Sequence, residues 1–172
     1  MTLQPFITEF SDWGKIVKGK YLLFDTDAII NIIHYSTHDF FKELKQLEVT
    51  NCFIHPVYIE LMRTDKNIER LKRQVVVNES NFYEMPFTQD VFINAQIVQQ
   101  SLASVNCFPS PADLYLSGFL AKYHRSMFLL TRNTQDFPAQ LFNREGYVIF
   151  QDEKHTCTLS LLSINPKSLI PF

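Results

Sequence analysis

Four acidic residues of this chain stand where they could share a divalent cation: Asp25, Glu60, Asp113 and Asp136. Asp25 ends the apolar run Tyr21-Leu-Leu-Phe24, and Glu60 follows the short run Cys52-Phe-Ile54. Asp113 comes directly after Ser110-Pro111-Ala112, and Asp136 lies one short turn beyond Met127-Phe-Leu-Leu-Thr131. Carboxylates gathered in one place repel one another unless a cation neutralises them or some keep their protons. Hard ions such as Mg²⁺ or Mn²⁺ take oxygen ligands and retain waters. They can lower the pKa of a bound water and stabilise the oxygens of an in-line displacement at phosphorus. The pattern therefore points to metal-assisted hydrolysis of a phosphodiester.

Each acid also has a structural reading. Ser110-x-x-Asp113 fits a capping box, in which the carboxylate satisfies a backbone N–H. Glu60 fits a solvated helix position, and Asp136 a turn or N-cap. Asp25 resists such a reading most, because it ends an apolar strand where charge is costly.

The elements that must position these residues follow from periodicity. Lys20–Asp25 reads as a buried strand of a parallel sheet, followed by a helical stretch at 28–33. A helix is expected from about Thr37 to Leu47, with Phe40, Phe41, Leu44 and Leu47 on one face. Residues 51–55 form a short strand, and Pro56 suits the first turn of a helix through Glu60 to about Thr64. Residues 65–77 read as a basic helix, and 81–87 as irregular or briefly extended. Thr88 is a candidate N-cap for a helix to Val105. Helix 110–124 and strands 127–131 and 146–150 follow, with a weakly alternating tail at 156–164 suited to an edge strand. Strands alternating with helices predict an α/β protein: a three-layer α/β/α sandwich with a mostly parallel central sheet. In such a sheet, ligands bind outside the carboxyl ends of the strands, where Asp25, Glu60 and Asp136 could converge.

The 172 residues predict one domain, 1–172, with a sizeable core. A composition 46% hydrophobic and 20% charged is that of a globular chain. No apolar run approaches the length of a membrane span, and residues 1–13 lack the pattern of a secretory signal. Three widely spaced cysteines predict reduced thiols in a cytoplasmic protein. The net charge of −2 is not that of a strongly basic nucleic-acid binder. Metal held by four acids would change the field that a phosphate meets. With four glycines there is no Gly-rich phosphate loop.

Arg63, Lys66, Arg70 and Arg73 recur at spacings of three and four, one helical face if the helix runs on from Glu60. That face could meet a phosphate backbone or be merely solvated. Arg132, beside the last acidic segment, is the stronger single candidate for a phosphate contact. Tyr58 and Tyr115 could stack on a base, though core packing suits them better.

The segments around the acids resemble a known family. Leu-Leu-Phe-Asp25-Thr-Asp-Ala-Ile-Ile, His-Pro-Val-Tyr-Ile-Glu60-Leu-Met-Arg63, Pro-Ala-Asp113-Leu-Tyr-Leu-Ser-Gly and Leu-Leu-Thr131-Arg-Asn133-Thr-Gln-Asp136-Phe are similar to those of PIN-domain nucleases, VapC-type toxin ribonucleases in particular. They occur in the family's order between about Tyr21 and Phe150. The resemblance implies a Mg²⁺- or Mn²⁺-dependent endoribonuclease with Asp25, Glu60, Asp113 and Asp136 as catalytic and metal-site acids. Thr131, Asn133 and Asp27 would orient them, and Arg63 and Arg132 would bind the RNA substrate. It further implies a homodimer and an inhibiting antitoxin protein. Asp27 replaces a more usual Ser or Asn, Asn133 stands where some members carry an acid, and Gly118 replaces a usual Ala. Two alternatives remain at this point: a catalytically silent PIN-like module that binds RNA or protein, and a haloacid-dehalogenase-type phosphatase using Asp25 as nucleophile in Phe24-Asp-Thr-Asp27.

Overall fold

A computed structural model describes residues 10–35, 38–151 and 155–170. Most of the N-terminal stretch judged for a signal, and the expected helix start at Thr37, lie outside them. Strands and helices alternate as the periodicity predicts. Helix α1 is Phe10–Val17, strand β1 Tyr21–Phe24, α2 Thr26–His34, α3 His38–Gln46, β2 Thr50–Phe53 and α4 His55–Met62. Then come α5 Asn67–Glu79, β3 Tyr83–Glu84, α6 Gln89–Ser104, α7 Pro111–Lys122, β4 Met127–Thr131, β5 Phe142–Gln151 and β6 Thr156–Ile164.

The six strands form one sheet in the order β3-β2-β1-β4-β6-β5. β1 pairs in parallel with β2 and β4, and β2 with β3, whereas β6 runs antiparallel to both β4 and β5. The sheet is thus mixed, with a parallel half and an antiparallel edge. Leu22, Leu23 and Phe24 are all fully buried. Successive strand residues face opposite sides, so both faces of β1 are covered. The chain builds outward from β1 through β2 to β3, then crosses to the other side of β1 for β4. Such a reversal opens a crevice at the carboxyl ends of the two strands on which it turns, here β1 and β4.

Three expectations are corrected. The tail is no edge strand: β6 lies inside the sheet between β4 and β5. Its serines misled the alternation, because Ser160 and Ser163 are small enough to be buried beside Leu159, Leu161 and Leu162. The fourth strand starts at Phe142 rather than Gly146, with a bulge between Arg144 and Gly146. The helix from Glu60 is not continuous: α4 stops at Met62, Arg63 caps it, and α5 starts after Lys66. Arg63 therefore shares no helical face with Lys66, Arg70 and Arg73. Those three are engaged at the junction. Arg73 donates to Leu61 O and Arg70 to Thr64 O, while Lys66 pairs with Glu69.

Candidate active site

Asp25 is the residue at which β1 becomes α2. Its backbone takes the extended conformation of an N-cap, and its Oδ1 accepts from Thr26 N at 2.6 Å. Its Oδ2 accepts from the Thr131 hydroxyl, at the end of the adjacent strand β4, at 2.8 Å. Only 9% of Asp25 is exposed. Burial raises its pKa from 3.8 to about 6, against the two hydrogen bonds, and the charges of Asp113 and Asp27 add to the rise.

Asp113 arrives from another helix N-terminus. Ser110 caps α7, its Oγ accepting from Asp113 N at 3.2 Å while donating to Asp113 Oδ2 at 2.6 Å. The capping box is thus only half formed: the Asp113 carboxylate takes the Ser110 hydroxyl, so the Ser110 amide keeps no bond from it. Burial raises the pKa of Asp113, the Ser110 hydroxyl lowers it, and Asp136 and Glu60 raise it further. Glu60, exposed in the last turn of α4, accepts from the Thr26 hydroxyl at 2.8 Å. Asp136 accepts from Asn133 Nδ2 at 2.6 Å, and Asn133 N in turn donates to the Thr131 hydroxyl at 3.1 Å.

One open cleft of about 190 Å³ collects most of these groups: Asp25, Thr26, Asp27, Glu60, Ser110, Asp113 and Asn133. Asp136 is not among the residues lining it. It stands behind Asn133, close enough for its charge to act on Asp113 and on the Cys107 thiol. Among the described residues, no group of three or more His, Cys, Asp or Glu side chains stands closely enough to hold a metal ion as placed. Asp25, Glu60 and Asp113 are brought to one rim without being closed into a ligand set, and Asp136 stands outside it. Nor does any lysine or arginine form an ion pair with one of the four among the described residues. The compensation they do receive comes from hydroxyls, amides and the N-terminal dipoles of α2 and α7. That leaves carboxylate oxygens without an ion-pair partner among the described residues, the donor chemistry that a hard divalent ion takes.

Asp27 is exposed in the first turn of α2 and lines the cleft, while Asp25 does the capping. Arg132 is exposed, and its charge is felt at Cys157 alongside that of Asp27. Arg63 is exposed just after α4. Tyr58 stacks on Phe53, and Tyr115 packs edge-on against Phe87 and Phe92, so both rings serve packing. The three cysteines are free thiols, and burial pushes that of Cys52 up to about 12. Among the described residues no lysine bonds Asp25, although an attacking aspartate of the phosphatase type needs one.

Sequence reasoning missed Thr26. Its amide holds Asp25 and its hydroxyl holds Glu60, so one residue ties two acids together. The only available signal was a hydroxyl beside Asp25 in an otherwise apolar neighbourhood.

No family model matches this chain, and no curated protein matches it. Among solved structures it is similar to the crystal structure of TrmN from Thermus thermophilus, at 12% identity and a TM-score of 0.34. The match covers 89% of this chain and 46% of that one. This chain therefore spans less than half of that protein, and a likeness so low carries no argument about fold or chemistry.

Proposed function

We propose that this chain is a metal-dependent endoribonuclease with a PIN-like, three-layer α/β/α fold. The observation that carries the reading is Asp25: a buried carboxylate at the crevice between β1 and β4, lining one cleft with Asp113, with no lysine or arginine paired to it among the described residues. The parallel order β3-β2-β1-β4 and the cover on both faces of β1 support the fold.

Asp25, Glu60, Asp113 and Asp136 would hold Mg²⁺ or Mn²⁺. When bound, such an ion supplies a water of lowered pKa and positive charge at the phosphate oxygens. The rest is the work of side chains already in place. Thr131 and the Thr26 amide fix both oxygens of Asp25. The Thr26 hydroxyl aims Glu60, Ser110 aims Asp113, and Asn133 aims Asp136. The N-termini of α2 and α7 present backbone dipoles favourable to a phosphate. Arg132 and Arg63 would meet phosphates on either side of the cleft.

The proposal extends to a homodimeric toxin held in check by an antitoxin. In its support, α5 carries Ile68, Leu71 and Val75 exposed at helical spacing, an apolar stripe that a second chain could cover. No helix among the described residues is long and apolar enough to cross a membrane.

Asp25→Asn keeps the shape but removes the charge: its one oxygen can still accept from Thr26 N while its NH2 donates to the Thr131 hydroxyl, which turns to Asn133 O. The variant should retain the wild-type circular dichroism and lose at least about 100-fold in RNA cleavage in Mn²⁺. Undiminished cleavage by that variant would sink the reading.

A further inference from the structure

Among the described residues, the largest exposure of any big hydrophobic side chain belongs to Phe108, at 77%. The ring is held out in solvent by a loop anchored on both sides. Asn106 takes a left-handed conformation with φ of 57° and donates to Ala103 O, while Cys107 N donates to Leu102 O. The Cys107 thiol reaches the carbonyls of Gln135 and Asp136 at 3.9 and 3.8 Å. On the far side, Pro109 restricts the backbone and Ser110 is the N-cap of α7. Phe108 is therefore presented by a fixed frame, between the segment that carries Asp136 and the serine that holds Asp113. Two residues of chain span at most about 7 Å, so Phe108 stands within about two nucleotide steps of the cleft at Ser110.

The Phe108 ring takes no part in the hydrophobic core of the described residues, which leaves its faces open to a ligand. Beside a cleft suited to a phosphate, its natural partner is the face of an unpaired base, which stacks on such a ring whatever its sequence. We propose that Phe108 is a substrate-binding residue, stacking on one unpaired base next to the phosphate held among the acids. The inference rests on the nuclease reading above. It makes the site selective for a locally single-stranded RNA, because a paired base cannot present its face to the ring.

The test is steady-state cleavage, in Mn²⁺, of a short mixed-sequence RNA as a single strand and as its duplex. Phe108→Ala should raise KM for the single strand about 5- to 100-fold with kcat nearly unchanged, and Phe108→Trp should restore it. The duplex should be a poor substrate for the wild type and indifferent to either change. Cleavage that persists with KM unaltered in Phe108→Ala overturns the inference alone. A wild-type protein that cuts no RNA overturns the nuclease reading and the inference with it. Light scattering showing that Phe108→Ala abolishes a self-association of the wild type would also overturn it, by assigning the ring to a contact between protein chains.

Discussion

At the scale of single residues, Asp25 combines two properties that oppose each other: it is almost wholly buried, and it is surrounded by other acids. Without a cation the folded protein holds its proton up to about pH 6, whereas an unfolded chain releases it near 3.8. Stability from this group is therefore fullest below about pH 4 and is lost as pH rises through 6, by about 3 kcal/mol in all. Asp25→Asn should abolish that loss. In metal-free buffer its Tm should match the wild type near pH 4 and exceed it above pH 6 by several degrees, which a pair of melting curves would reveal. Thr26→Val tests positioning instead. The side chain is close to isosteric, but Glu60 loses its hydroxyl partner. Cleavage should fall about 10- to 100-fold, with recovery in Thr26→Ser. Asp25 stood out in the sequence as an acid at the end of the apolar run Tyr21–Phe24, but its structural use as the N-cap of α2 was not readable there. The link from Thr26 to Glu60 was not readable, since it spans 34 residues and depends on how α2 and α4 pack.

At the scale of elements, the packing of α6 on α7 explains Gly118. A Cβ there would meet Ala95 Cβ at 2.8 Å and the Val91 carbonyl at 2.9 Å, so the helices approach as closely as they do because the position is bare. In isolation alanine would favour the helix by up to about 1 kcal/mol, but overpacking against backbone outweighs that gain. Gly118→Ala should destabilise the protein by about 1–3 kcal/mol, read from urea unfolding. Asp113 sits at the start of α7, so some loss of activity should accompany the change. The break between α4 and α5 shows why the basic spacing misled. No Gly or Pro marks it; Thr64 accepts from Lys66 N and competes locally with the helix. Arg73 then satisfies the Leu61 carbonyl at the end of α4 and Arg70 the Thr64 carbonyl in the link beyond it. Strands β1 and β4 and the start of α7 were legible from apolar runs and a cap, whereas α2, read from residue 28, begins at Thr26 with Asp25 as its N-cap. The interior place of β6 was not, because buried serines read as solvent-facing positions.

At the scale of the whole molecule, a net charge of −2 coexists with a site proposed to receive a phosphate backbone. A divalent ion in the cleft would offset part of the acids' negative charge and offer a phosphate oxygen a local positive centre. The sheet prepares for this by reversing its order between β1 and β4, which sets Asp25 and Thr131 side by side across 106 residues of chain. The most direct measurement is a calorimetric titration of Mn²⁺ into the purified protein, at pH 5 and at pH 7.5. The account predicts saturable binding that is tighter at the higher pH, because protons compete for the same carboxylates, and that is lost in Asp25→Asn. Absence of binding to the wild type at either pH, or equal binding by the variant, would contradict it.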